Sequence, residues 1–286
     1  MLWTKKCADP STLIAIRPYK HAKGLDPAKD FLRTMRGVYS FEIWFEDRAK
    51  IRMCSSEPEL ELRKKITSFY PSAEIGKPDK DFIEGEKFCV MKATLRKSHF
   101  FPLRTEMDGD PFNALLTAMI GHKAIYQVLF TPAPQRWMSK AVKVAEGLLK
   151  GKVVGWLEPK IAPASPVEKD LAKQIIDRAS QPAFVVEIRI AVFGKDSKQI
   201  VNNFESFFRL FNNPIADQGF KLVIPRNQKS ELERMKKRCM TISRFGKKDI
   251  LTVDELANLV HIPGEEVHVR EVEWTFARKD LKPPYP

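Results

Sequence analysis

No segment of this 286-residue chain has the spacing G-x-x-x-x-G-K-[ST], in which backbone N–H groups converge on one phosphate while a lysine reaches the next. Its four Gly-Lys pairs, Gly76-Lys77, Gly151-Lys152, Gly194-Lys195 and Gly246-Lys247, are never followed by Ser or Thr. A phosphate-loop motor is therefore excluded from these residues. Cys7, Cys54, Cys89 and Cys239 are far apart and form no C-x-x-C pair, so a zinc site or dense disulfide framework has no local support and buried or incidental thiols are expected. The five histidines are scattered too, and no metal site or cofactor is expected. No apolar run approaches the roughly 18 residues of a membrane span, and Met1–Lys6 lacks the apolar stretch of a signal peptide. The expectation is a cytoplasmic protein without a transmembrane segment, with contact at the membrane surface left open.

What is present is apolar mass and positive charge. Hydrophobic residues make up 43% of the chain and include 19 Phe, enough to fill the cores of two ordinary domains. The formal net charge of +13 attracts polyanions, nucleic acid first and anionic membrane second.

Hydrophobic patterning predicts a β-α-β-β-α-β order twice. The first copy has strands at 12–19, 38–45, 50–54 and 73–75. Its helices open at Asp26-Pro27 and at Ser56-Glu-Pro-Glu59, the latter with Ser56 as N-cap. Within 38–45, Val38, Ser40, Glu42 and Trp44 alternate with Tyr39, Phe41, Ile43 and Phe45, as in a strand covered differently on its two faces. The second copy has strands at 86–95, 124–130, 184–193 and 220–224, with helices at 110–120 and from Ser197. Two further helices, around Trp137–Leu148 and over 167–179, interrupt it. The predicted class is α+β, with two ferredoxin-like units arising by internal duplication. Residues 1–80 form the first unit, 81–226 the second with a helical insertion over 134–181, and 227–286 a basic C-terminal segment. In that segment a cationic helix over 228–240, a short helix over 253–260 and a final strand over 267–276 are expected.

Several segments together resemble the pre-motor region of conjugative, type IV secretion-type DNA-transfer ATPases of archaea and bacteria. They are Phe101-Pro-Leu-Arg104 with Asp110-Pro-Phe-Asn-Ala-Leu-Leu116, and Tyr126-Gln-Val-Leu-Phe-Thr-Pro132 with Trp137. Leu251-Thr-Val-Asp-Glu-Leu-Ala-Asn-Leu-Val-His-Ile-Pro263 follows, with Val272-Glu-Trp274 and Pro283-Pro284. The resemblance spans roughly residues 12 to 286 and implies a component of a mobile-element, plasmid or viral, DNA-transfer apparatus with DNA and protein partners. Because this sequence ends at Lys282-Pro-Pro-Tyr-Pro286 without the motor, a non-enzymatic docking platform is expected rather than an engine. The alternative is a free-standing nucleic-acid-binding replication or regulatory protein of a plasmid or virus.

Other constellations have plainer readings. Asp254-Glu255 after Ile250–Val253 imitates a Walker B strand but has no phosphate loop to serve, and Thr252 or Asp254 capping a short helix explains it. His21-Ala-Lys23 opens like a phospholipase D-type motif, but Ala28 stands where that motif needs Asp. Asp108-Gly-Asp110 reads as a turn leading into a helix. The candidate nucleic-acid-binding residues are Lys229, Arg234, Lys236, Lys237, Arg238, Arg244, Lys247 and Lys248. They stand against three acids in residues 227–250, a local net charge of +5. A solvated helix face is the competing account, since Glu231 and Glu233 lie at the N-terminal end of that helix and the cations at its C-terminal end.

Overall fold

The structure, a computed structural model, describes residues 3–154, 160–243 and 248–276. After β1 (Trp3–Cys7), the N-terminal half runs β2 (Asp9–Arg17), α1 (Ala28–Arg33), β3 (Tyr39–Phe45), β4 (Ala49–Ser55), α2 (Glu59–Phe69) and β5 (Glu74–Gly76). Its strands lie in the order β5-β2-β4-β3, each pair antiparallel. The next half runs β6 (Phe88–Leu95), α3 (Phe112–Met119), β7 (Lys123–Pro132), α4 (Arg136–Leu149), β8 (Lys152–Val154), β9 (Lys160–Ala162), α5 (Pro166–Ala179) and β10 (Ala183–Phe193). It closes through α6 (Ser197–Ile200), a 3₁₀ turn at Val201–Phe204, α7 (Glu205–Arg209) and β11 (Phe220–Val223). Leaving out the α4–α5 insertion, its order β11-β6-β10-β7 repeats that of the first unit. Both halves are thus ferredoxin-like units of an α+β protein.

The second strands of the two units, β3 and β7, pair antiparallel from Tyr39↔Phe130 to Phe45↔Ala124. Two equivalent edges paired antiparallel imply an approximate two-fold relation, here centred on the pair Glu42↔Gln127. The union hides one edge of each unit and produces a single nine-stranded sheet. One hydrophobic cluster fills the helix-covered face of both units, joined across the seam by Tyr39 stacked on Phe130 and Phe41 stacked on Phe112.

Residues after 226 are distributed over both faces. Helix α8 (Gln228–Lys236) lies against the sheet face opposite the shared core, β12 (Cys239–Ser243) pairs with β1, and β13 (Asp249–Thr252) joins β10 at Ala183–Val186. Helix α9 (Val253–Ala257) and the residues after it bury Leu256, Leu259 and Val260 in the shared core. The cationic helix expected through Met240 stops at Lys236, because Arg238 turns the chain with φ 49° into β12. The final strand expected over 267–276 is reduced to isolated bridges, Val272 to Ala49 and Thr275 to Tyr19. Ser56 does not cap α2; its hydroxyl accepts from the Val38 N–H, which ties the β3 entry to the end of β4. Cys7 and Cys239 are not free thiols but a disulfide between β1 and β12, 232 residues apart, whereas Cys54 and Cys89 are buried free thiols.

The loops at Gly24 and Gly264 press together so closely that only glycine fits. A Cβ on Gly264 would lie 2.2 Å from the Ala22 carbonyl oxygen and 2.4 Å from the Gly24 nitrogen. Among the described residues no helix is long and apolar enough to cross a membrane.

Candidate nucleic-acid interface

Strand register places a polar row across the middle of the sheet. Arg52 on β4 stands opposite Glu42 on β3, Glu42 opposite Gln127 on β7, Gln127 opposite Arg189 on β10, and Arg189 opposite Lys92 on β6. Directly opposed residues share a face, and this is the face turned away from the shared core. Arg52 and Arg189 occupy equivalent strands of the two units, as do Glu42 and Gln127, so the row follows the two-fold relation. Glu42, Arg52, Gln127 and Arg189 are all at most 1% exposed. Burial at that level requires each charge to be paired.

Helix α8 and the turn after it supply the partners. Gln127 donates to Glu42 Oε1 at 2.9 Å and to the Met235 carbonyl at 3.0 Å. Arg189 meets Glu187 at 3.0 Å, Glu231 at 2.9 Å and the Cys239 carbonyl at 2.7 Å. Glu42 also accepts from Trp44 Nε1 at 2.8 Å and Ser40 Oγ at 2.7 Å. Beyond the first unit's end of the row, Arg52 lies over the Trp44 ring, 4.1 Å from its centre, and pairs with Asp79. Burial alone would raise the Glu187 carboxyl, but Arg189, Lys92 and Arg234 outweigh it and bring it to about 2. A folded value below the ordinary 4.5 makes this stabilisation complete above that pH and lost as pH falls toward 2. The urea midpoint is expected to fall between about pH 5 and about pH 3, and to fall less in Glu187→Gln; equal falls in the two proteins would place the acid sensitivity elsewhere.

This network absorbs part of the predicted cationic site. Arg238 is 2% exposed and is held by Glu42 at 3.0 Å and the Asp81 carbonyl at 3.0 Å, so it cannot meet a phosphate. Arg234 is committed to Glu187 and Glu231, each at 3.1 Å, and half-buried Lys236 faces Glu233 at 3.6 Å. Lys229 and Lys237 are exposed, without an ion pair among the described residues. Arg244 and Lys247 lie outside the described residues. Lys248 is half-buried and immediately precedes β13.

The segments around Asp110, Thr252–Glu255 and His261 interlock as structural stitches. Asp110 accepts from the Phe112 N–H at 2.7 Å and faces His261 Nε2 at 3.0 Å, while His261 stacks on Phe112 with centroids 3.8 Å apart. Asn113 donates to the Glu266 carbonyl at 2.9 Å and accepts from the His268 N–H at 2.7 Å. Thr252 caps α9 in a capping box with Glu255, and both Glu255 oxygens are engaged by Arg178 of α5 at 2.8 and 2.9 Å. Glu255 Oε1 also accepts from the Leu103 N–H at 2.9 Å. Asp254 pairs with Lys29 of α1 at 2.8 Å. Among the described residues no three His, Cys, Asp or Glu side chains converge to hold a metal ion.

A different set of cations has no ion pair among the described residues. The α4–α5 hairpin packs Trp137, Ala141, Ala145, Leu171 and Ile175 onto the sheet, which turns Arg136 and Lys140, one helical turn apart, to solvent. Both charges act on Lys248, whose ammonium is pushed below its ordinary value by burial and then by Arg136 and Lys140. His99, hydrogen-bonded to the Lys248 backbone, is lowered to about 4 by burial and by Arg178, Lys248 and Lys140. Arg136, Lys140 and Lys248 make no ion pair among the described residues. Like charges gathered without acids favour an anion that bridges them. Of these residues the sequence pattern pointed only to Lys248. The i, i+4 spacing of Arg136 and Lys140 on the solvent face of a helix was the available signal.

No curated protein matches the chain. A family model described as a domain of unknown function, DUF8128, matches residues 3–275, and the chain belongs to that family.

Proposed function

We propose that the protein is a non-enzymatic docking component of a mobile-element DNA-transfer apparatus, and that it holds DNA by phosphate contacts from Arg136, Lys140 and Lys248. The observation that carries this reading is the convergence of these three cations without an acidic partner among the described residues, the charges of Arg136 and Lys140 adding to burial in pushing the Lys248 ammonium down. The net charge of +13 supports a polyanionic partner. The transfer apparatus itself rests on the motif resemblance. Catalysis is not needed for this role, because Glu255, Asp110 and His261 are engaged in buried contacts that hold elements together.

Phosphate contact of this kind is sequence-independent and salt-sensitive. For duplex DNA, log K is expected to fall with log salt, and Arg136→Ala/Lys140→Ala/Lys248→Ala is expected to reduce that slope by up to about 2.7, at about 0.9 per contact. Folding should change little, since surface substitutions away from paired networks alter stability by under about 0.5 kcal/mol each. Lys229→Ala/Lys237→Ala on and after α8 serves as the comparison, with a smaller change expected. Absence of binding at about 50 mM salt, or an unchanged slope in the triple variant, would refute the assignment.

A further inference from the structure

Near these cations stands a pair of aromatic rings on a turn held by two buried side chains. His99 and Phe100 are both half-buried, with ring centroids 4.3 Å apart and planes inclined by 48°. Their turn is closed by the Phe101 N–H donating to the Ser98 carbonyl at 3.1 Å. Two buried side chains hold it. Gln218, 1% exposed, donates to the Ser98 and Phe101 carbonyls at 3.0 and 3.3 Å and accepts from the Lys97 N–H at 2.9 Å. Arg178, 4% exposed, donates to the His99 carbonyl at 2.5 Å. The His99 ring is tied in turn to the Lys248 backbone and lies within reach of the Lys248 and Lys140 charges.

We infer that the nucleic acid bound here is single-stranded, with a base stacked on the His99–Phe100 pair while neighbouring phosphates meet Arg136, Lys140 and Lys248. The inference rests on phosphate contact at that patch. A duplex keeps its base faces stacked inside the helix, so partly open rings near these cations have a partner only when bases are unstacked. A platform fixed in advance costs little ordering on binding, which is what the Gln218 and Arg178 clamps provide. Stacking is tolerant of sequence because every base has a π-face, so no base preference is required. The lowered His99 leaves its ring neutral near pH 7, as stacking without added charge requires.

The test uses the full chain and three labelled probes of about 15 nucleotides: oligothymidylate, an abasic strand of equal length, and a duplex. Anisotropy titrations at low salt are expected to rank oligothymidylate tightest. Phe100→Leu keeps apolar volume against the neighbouring cluster but removes the π-face. It is expected to weaken oligothymidylate about tenfold, to the level of the abasic strand, while leaving abasic strand, duplex and salt slope unchanged. Equal affinity of the wild-type protein for oligothymidylate and abasic strand, or an equal loss on all three probes in Phe100→Leu, overturns the inference. The Arg136→Ala/Lys140→Ala/Lys248→Ala variant separates the two layers, being expected to lose affinity for all three probes. If it binds all three as the wild type does, the phosphate-contact reading falls as well.

Discussion

Glu42→Ala is expected to destabilise the protein by about 3–5 kcal/mol, the range for removing one partner of a buried ion pair. The loss follows from what Glu42 leaves behind. Arg238 would keep a guanidinium that is 2% exposed with no carboxylate, and the Trp44 Nε1–H and Ser40 hydroxyl would lose their acceptor. Because Glu42 and Gln127 pair across the seam, the damage should spread to the joint between the two units. Urea or thermal unfolding measures it. Replacing both partners, as in Glu42→Met/Arg238→Met, is expected to recover much of the loss, since paired apolar substitution removes the stranded charge. A loss below about 1 kcal/mol in the single variant would mean that water or another group already compensates Arg238.

Glu255→Ala should cost a comparable amount, about 3–5 kcal/mol, for a related reason. Its carboxylate serves the bidentate contact to Arg178, accepts from the Leu103 and Thr252 N–H groups and completes the cap of α9. Without it Arg178, 4% exposed, would be a buried charge beneath Trp137, whose ring centre lies 5.4 Å away. The expected phenotype is a lowered melting temperature with no change in nucleotide turnover, because Glu255 has no free oxygen to offer a metal or water. Glu255→Gln tests the alternative. If it retained the melting temperature yet abolished an ATP or GTP hydrolysis measured in the wild type, Glu255 would belong to phosphate chemistry instead.

The two residues also mark how far the sequence could be read. The period-2 alternation of 38–45 separated Glu42 and Trp44 from Phe41 and Ile43, and the structure turns those two sets to opposite faces. It did not reveal that the polar set is buried, because the cover is α8, nearly two hundred residues later. Thr252 as a cap was legible, since a hydroxyl three residues before Glu is a local signal. The Arg178 that engages Glu255 was not, as it belongs to a helix read only as an insertion. Charge counting along 227–250 found cations but could not tell spent from free ones. Arg238 is spent on Glu42 and Arg234 on Glu187 and Glu231, while Arg136 and Lys140, far away in sequence, have no ion pair among the described residues.

By itself the sequence determined the elements whose causes are local. Strand alternation, helix periodicity and turn residues settled the doubled β-α-β-β-α-β order and the α+β class, because each depends on neighbours within a turn or a pleat. Tertiary structure alone decided everything that required distant segments to meet. It paired β3 with β7 into one sheet, joined Cys7 to Cys239, set Arg52 against Asp79 and Arg189 against Glu231 of α8, and gathered Lys248 with Arg136 and Lys140. Such contacts are fixed by loop closure and burial over the whole chain, and a charge has no partner until the fold has brought one within reach.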